Sequence, residues 1–179
     1  MIIQEIDLTL GEIVPGEIVS KITLGLITQD TIICSGIGQK ELLWFWAVSE
    51  EHYSIIMALF ERALIHDPNI KDQFGNSALM RVAASADNPV IVKVLLAIGA
   101  SPNTKNAKGN TVLTVACQRE EQELRYQIAE ALFLGGADPH LPNDPDSRYP
   151  DAFALAEHNK DEFLLNLFTL NRPSFVVGQ

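Results

Sequence analysis

Apolar residues in this chain recur in short blocks at helical spacing, separated by polar turns. Leu79, Val82 and Ala83 share one helical face, and after a break at Asp87-Asn88-Pro89 the residues Ile91, Val92, Leu95 and Leu96 do the same. The pattern predicts two short helices, a Gly or Pro turn, and then the same arrangement again. Paired large apolar residues close each round: Leu59-Phe60, Leu95-Leu96, Leu132-Phe133 and Leu167-Phe168, at spacings of 36, 37 and 35 residues. The triplets Asp67-Pro68-Asn69, Ser101-Pro102-Asn103 and Asp138-Pro139-His140 follow the first three pairs. A further series, Gly75-Asn76-Ser77-Ala78-Leu79 and Gly109-Asn110-Thr111-Val112-Leu113, leads each unit at a distance of 34 residues. Neither helix of such a pair buries its apolar face alone, so the repeats must stack on a shared core.

These residues resemble a known family. Asp72 to Leu79 through Leu95 to Asn103 looks like an ankyrin repeat, and Lys108 to Ala116 through Leu132 to Pro139 looks like the next. Leu42 to Ala47 with Ile55-Ile56 and Leu59-Phe60 fits a degenerate unit before them. Ala152 to Ala156 with Phe163-Leu164-Leu165 and Leu167-Phe168 fits one after. The resemblance implies an all-α, ankyrin-like helical repeat solenoid over residues 40–172, with residues 1–39 as an N-terminal capping segment and 173–179 as a tail. There are departures. The family's Thr-Pro-Leu-His turn reads Ser77-Ala78-Leu79-Met80 and Thr111-Val112-Leu113-Thr114, and the glycine expected between the helices is replaced by Ala86-Asp87-Asn88-Pro89 and Glu120-Glu121-Gln122-Glu123. Gly99 to Gly136 spans 37 residues, about one helical turn too many. The Glu- and Gln-rich stretch Gln118–Tyr126 is expected to absorb the excess as an extended helix.

The first 39 residues leave two patterns open. Ile22-Thr23-Leu24-Gly25-Leu26 alternates like a strand, whereas Ile18, Val19, Ile22, Leu26 and Ile27 sit at helical spacing after a helix start at Pro15-Gly16-Glu17. Either way, the segment is expected to shield the open side of the first repeat.

Composition narrows the function. The chain of 179 residues has 13 Lys+Arg against 23 Asp+Glu, a net charge of −10, and 47% hydrophobic residues. It is too apolar for a disordered chain and has the wrong sign for a generic nucleic-acid binder. Cys34 and Cys117 cannot form a disulfide framework and read as reduced thiols of a cytosolic protein. The N-terminus carries acids where a signal peptide carries bases, and Leu42–Val48, the longest strictly apolar run, is too short for a bilayer. His52, His66, His140 and His158 lack metal-ligand spacing, and nothing nominates a base for Cys34. The expectation is therefore a monomer with no enzymatic activity, no cofactor and no metal.

Ankyrin-like proteins bind other proteins on a concave face of turns and first helices, and the resemblance implies the same here. Transferred to this sequence, that face takes Phe74, Asn76, Lys108, Asn110, Arg148 and Tyr149 from the turns and Trp46, Arg81, Ser85, Gln118, Arg119 and His158 from the first helices. Trp44 and Trp46 cannot both face the core of one helix. Trp44 stands at the family's core leucine, which leaves Trp46 for the groove or for packing under the N-terminal segment. Residues 71–108 carry five basic and two acidic side chains, while both flanks are acidic. Lys71, Lys105 and Lys108 in predicted turns form either a basic strip for an acidic partner or ordinary surface lysines. The leading expectation is a protein-interaction module, cytoplasmic, or secreted without a signal peptide into a host cell as a bacterial effector. The alternative is a small acidic inhibitor or immunity-type protein that masks a basic partner.

Overall fold

The computed structural model describes residues 39–170. The expected capping segment up to residue 38, with Cys34, and the tail 173–179 lie outside the described residues. The chain divides into two compact units, Met1–Ile70 and Lys71–Gln179, each taken by itself below.

In the first unit, α1 (Gln39–Ser49) packs on α2 (Tyr53–Glu61). Between them Glu51 adopts a left-handed φ of 54°, which reverses the chain within a few residues. Trp44, Ile55, Ile56 and Leu59 are fully buried, as their helical spacing requires. Trp44 thus occupies the core position assigned to it.

The second unit stacks three helix pairs: α3 (Ala78–Ser85) with α4 (Val90–Ala97), α5 (Val112–Cys117) with α6 (Gln122–Leu134), and α7 (Ala152–Asn159) with α8 (Glu162–Leu170). The first helices α3, α5 and α7 stand side by side, and so do α4, α6 and α8. Leu79, Ile91, Leu95, Leu113, Ile128, Leu132, Leu155 and Phe168 fill the layer between the two rows. No helix pair holds this core alone, so truncating one such side chain to Ala costs about 2–5 kcal/mol.

Each first helix starts on a side-chain cap. Ser77, Thr111 and Asp151 accept the backbone N–H of Met80, Thr114 and Ala154, satisfying a donor that the first turn leaves without an intrahelical partner. Apart from two isolated antiparallel bridges, Lys71 with Ser77 and Lys105 with Thr111, the described residues contain helices and turns only.

The excess turn is an extended helix, as expected, but only from Gln122 onward. The first helix α5 stops at Cys117, residues 118–121 form the connection, and the extension appears as the 13 residues of α6 against 8 in α4. Arg119 explains the break in part. Its guanidinium reaches back to the Ala86 carbonyl at 2.9 Å, which draws the backbone at 118–121 toward the preceding connection instead of around another turn.

Candidate protein-binding face

The face is built by turns that project between consecutive helix pairs. In the first, the Asp72 carboxylate accepts the backbone N–H groups of Phe74 and Asn76, both at 2.9 Å, while the Gly75 N–H closes the turn on the Asp72 carbonyl. In the second, the Asn106 side chain does the same for Lys108 and Asn110 at 3.0 and 3.1 Å. A short side-chain acceptor at this place substitutes for backbone acceptors in a tight turn. Gly75 and Gly109 both have φ +73°. A Cβ on Gly75 would lie 2.7 Å from the Ala107 nitrogen, and one on Gly109 would collide with the Asp144 side chain. Glycine is needed there for its backbone conformation and for the close approach of the next turn.

Successive turns are hydrogen-bonded to one another. The Ala107 N–H donates to the Phe74 carbonyl and the Asp144 N–H to the Gly109 carbonyl. Asn106 Nδ2 donates to Asn76 Oδ1 at 3.2 Å, and Ser147 Oγ donates to Asn110 Oδ1 at 2.6 Å. The third turn departs from the pattern. Asn143 is buried, its Oδ1 accepting from the Thr111 N–H and the Thr114 hydroxyl while its Nδ2 donates to the Tyr149 carbonyl. It ties the end of the array to α5. Asn143 was not singled out in the sequence; the signal available there was an Asn between Pro142 and Pro145, which reads only as a turn.

A groove of about 430 Å³ runs between these turns and the first helices. Seven expected residues line it, namely Phe74, Asn76, Arg81, Ser85, Lys108, Asn110 and Gln118. Phe74 stands at its rim, 63% exposed although it is a large aromatic. Arg81 lies 3.8 Å from Asp72, which keeps its guanidinium over the groove.

The other expected residues lie elsewhere. Trp46, in the first unit, is half-buried with its ring 4.8 Å from that of His52. Arg148 lies over the Tyr149 ring at 5.5 Å, and Tyr149 in turn contacts the His158 ring. Lys105 pairs with Asp144 at 3.1 Å, and its carbonyl accepts from Lys71 Nζ. Two of the three turn lysines thus tie turns together, and only part of the local positive charge faces outward. Arg119 is turned inward: its side chain is only 7% exposed, and its Nε and Nη1 have no acceptor among the described residues. The expectation that it faces the groove fails because its guanidinium bridges two helix connections.

Cys117 is enclosed in the core, where burial, with Asp161 adding and Arg125 opposing, pushes its thiol up to about 12. A thiol so hard to ionise is a packing residue. No group of three or more His, Cys, Asp or Glu able to hold a metal occurs among the described residues, and no helix there is long and apolar enough to cross a membrane.

Stacked helix pairs with glycine-closed turns define an all-α repeat solenoid. A family model described as ankyrin repeats, in three copies, matches residues 44–150, and the chain belongs to the ankyrin repeat family. Among curated proteins, the ankyrin repeat and KH domain-containing protein mask-1 of Caenorhabditis elegans is 42% identical over 74 residues, which is 41% of this chain and 3% of that protein. Among solved structures, an ankyrin repeat domain from Acinetobacter baumannii has a TM-score of 0.61 at 20% identity, covering 71% of this chain and 62% of that one. A second ankyrin repeat protein has a TM-score of 0.60 at 23% identity over 69% of this chain and 61% of its own. A chain from the complex of a predatory endopeptidase of Bdellovibrio bacteriovorus with an immunity protein has a TM-score of 0.58 at 26% identity, covering 72% and 63%. This chain therefore spans less than two thirds of each of these relatives. Ankyrin repeats are protein-protein interaction modules, typically without catalytic activity.

Proposed function

We propose that the chain is a non-enzymatic binding module whose second unit receives a partner protein in the groove between the turns and the first helices. The observation that carries this reading is Phe74, held out at the groove rim by a turn whose N–H groups are already satisfied by Asp72. An exposed aromatic on a rigid support anchors a partner at little entropic cost, and Arg81 and Lys108 beside it favour a partner with carboxylates around an apolar side chain. Arg148 and Tyr149, which lie outside the groove, are further candidate contacts, and Trp46 is another in the first unit. The test is calorimetry with the partner recovered from the protein's own cells, using wild type, Phe74→Ala and Arg81→Ala. Each variant is expected to bind about tenfold or more weakly with an unchanged circular dichroism spectrum. Equal affinities would overturn the proposal.

An immunity-type role is the second reading. It draws support from the 26% identity to a chain of the endopeptidase–immunity protein complex and from the net charge of −10. Action as an effector inside a host cell rests on the resemblance to small irregular ankyrin proteins and is tested by following a tagged chain from producing cell to host cytosol.

A further inference from the structure

At the helix ends remote from the turns, the second unit carries another surface that shares no lining residue with the groove. Phe163 opens α8 and is 58% exposed, and Tyr126 of α6 meets its ring nearly edge-on at 5.7 Å. Two adjoining hollows of about 360 and 520 Å³ share Phe163 and Gln122 as a common wall. An aromatic pair beside two hollows offers a seat for one apolar side chain.

The surrounding charge says what flanks that side chain. Residues 120–125 and 157–162 contain six carboxylates against two cations. One cation, Arg125, is bound to Asp161 at 3.0 Å, and both are largely buried, so that pair neutralises itself. Outside it, Glu121, its side chain 68% exposed, lies 3.9 Å from the buried Arg119, while Glu123 and Glu162 are exposed along the hollows, with Lys160 the cation on the rim. A segment with acidic flanks would meet like charge, whereas a basic one is drawn in.

We propose that this edge is a second docking surface, for a partner segment that carries an aliphatic or aromatic side chain flanked by Lys or Arg. Phe163 and Tyr126 take the apolar side chain, and Glu123 and Glu162 take the basic ones. The site stands independently of the groove, so the protein can hold two partners of opposite charge at once.

The test pans a displayed random dodecapeptide library against the full chain and synthesises the enriched peptides. Affinities are measured for wild type, for Phe163→Ser, for the double variant Glu123→Lys with Glu162→Lys, and for Phe74→Ala. Basic peptides with an apolar centre are expected to emerge. They are expected to bind both edge variants about tenfold more weakly, to bind Phe74→Ala unchanged, and to weaken as salt rises. Three results would overturn the proposal: no such peptides enriched, equal binding by the edge variants, or dependence on Phe74 instead of Phe163. Because these side chains are exposed, circular dichroism of the variants is expected to match wild type.

Discussion

At one edge of the second unit, Asp72 and Asn106 form the same turn 34 residues apart; at the other edge, no two helix connections are alike. The turn edge repeats because its requirements are specific. It needs a left-handed glycine, a short side-chain acceptor two residues after which the N–H groups point inward, and room for the next turn. The connection edge needs only to join two buried helices. Asn88 and Pro89 do this in one place, a stretch with the buried Arg119 in the second, and Lys160 at φ 53° with Asp161 as helix cap in the third. Repetition produces a regular platform, while variation leaves idiosyncratic charge, so the two edges present different chemistry.

The largest expected effect lies at the variable edge. Arg125 joins Asp161 at 3.0 Å and the Arg119 carbonyl, and the two charges are largely buried. Arg125→Ala leaves a buried carboxylate unpaired and is expected to cost about 3–5 kcal/mol in chemical denaturation. A cost under 1 kcal/mol would mean that solvent screens the pair.

Next comes the turn edge. Gly109→Ala combines a left-handed backbone with a clash against Asp144 and is expected to cost about 3 kcal/mol. Gly99→Ala has a similar φ of 95° but open space around its Cβ, and about 1 kcal/mol is expected. Equal costs would show that close approach between turns contributes nothing. Asn143→Ala removes the acceptor of the buried Thr111 N–H and is expected to cost about 2 kcal/mol.

The smallest effect is a pH dependence at Cys117. Its thiol is raised from 9.0 to about 12 in the fold, so the folded chain keeps a proton that the unfolded chain releases. The stabilisation is fully present below pH 9 and is lost as pH rises toward 12, by about 1 kcal/mol at pH 10. Comparing the slope of wild type with that of Cys117→Ala between pH 8 and 10 isolates this group, and identical slopes would contradict the assignment.

The repeat frame was legible in the sequence because turn glycines and paired apolar residues are fixed by geometry at each period. Gly75 and Gly109, Leu95 and Leu132 announce themselves without any partner in view. Trp44 is legible in two steps: helical spacing separates it from Trp46, and the resemblance to the family's core leucine says which of the two is buried. Arg119 was not legible: an Arg on a helix reads as solvent-facing, and only the neighbouring Ala86 carbonyl turns it inward. Lys105 misleads in the same manner, because the residue that pairs with it, Asp144, lies 39 positions away. Asn143 and Phe163 depend on contacts across the stack, which no local pattern encodes.

Occupation of the groove at Phe74 by a partner protein can be read out in living cells. A photo-crosslinking aromatic amino acid introduced in living cells at position 74, and separately at the equally open Leu134, tests it most directly. One reproducible adduct with the partner is expected from position 74 and none from 134. The same adduct from both positions, or from 134 alone, would contradict it.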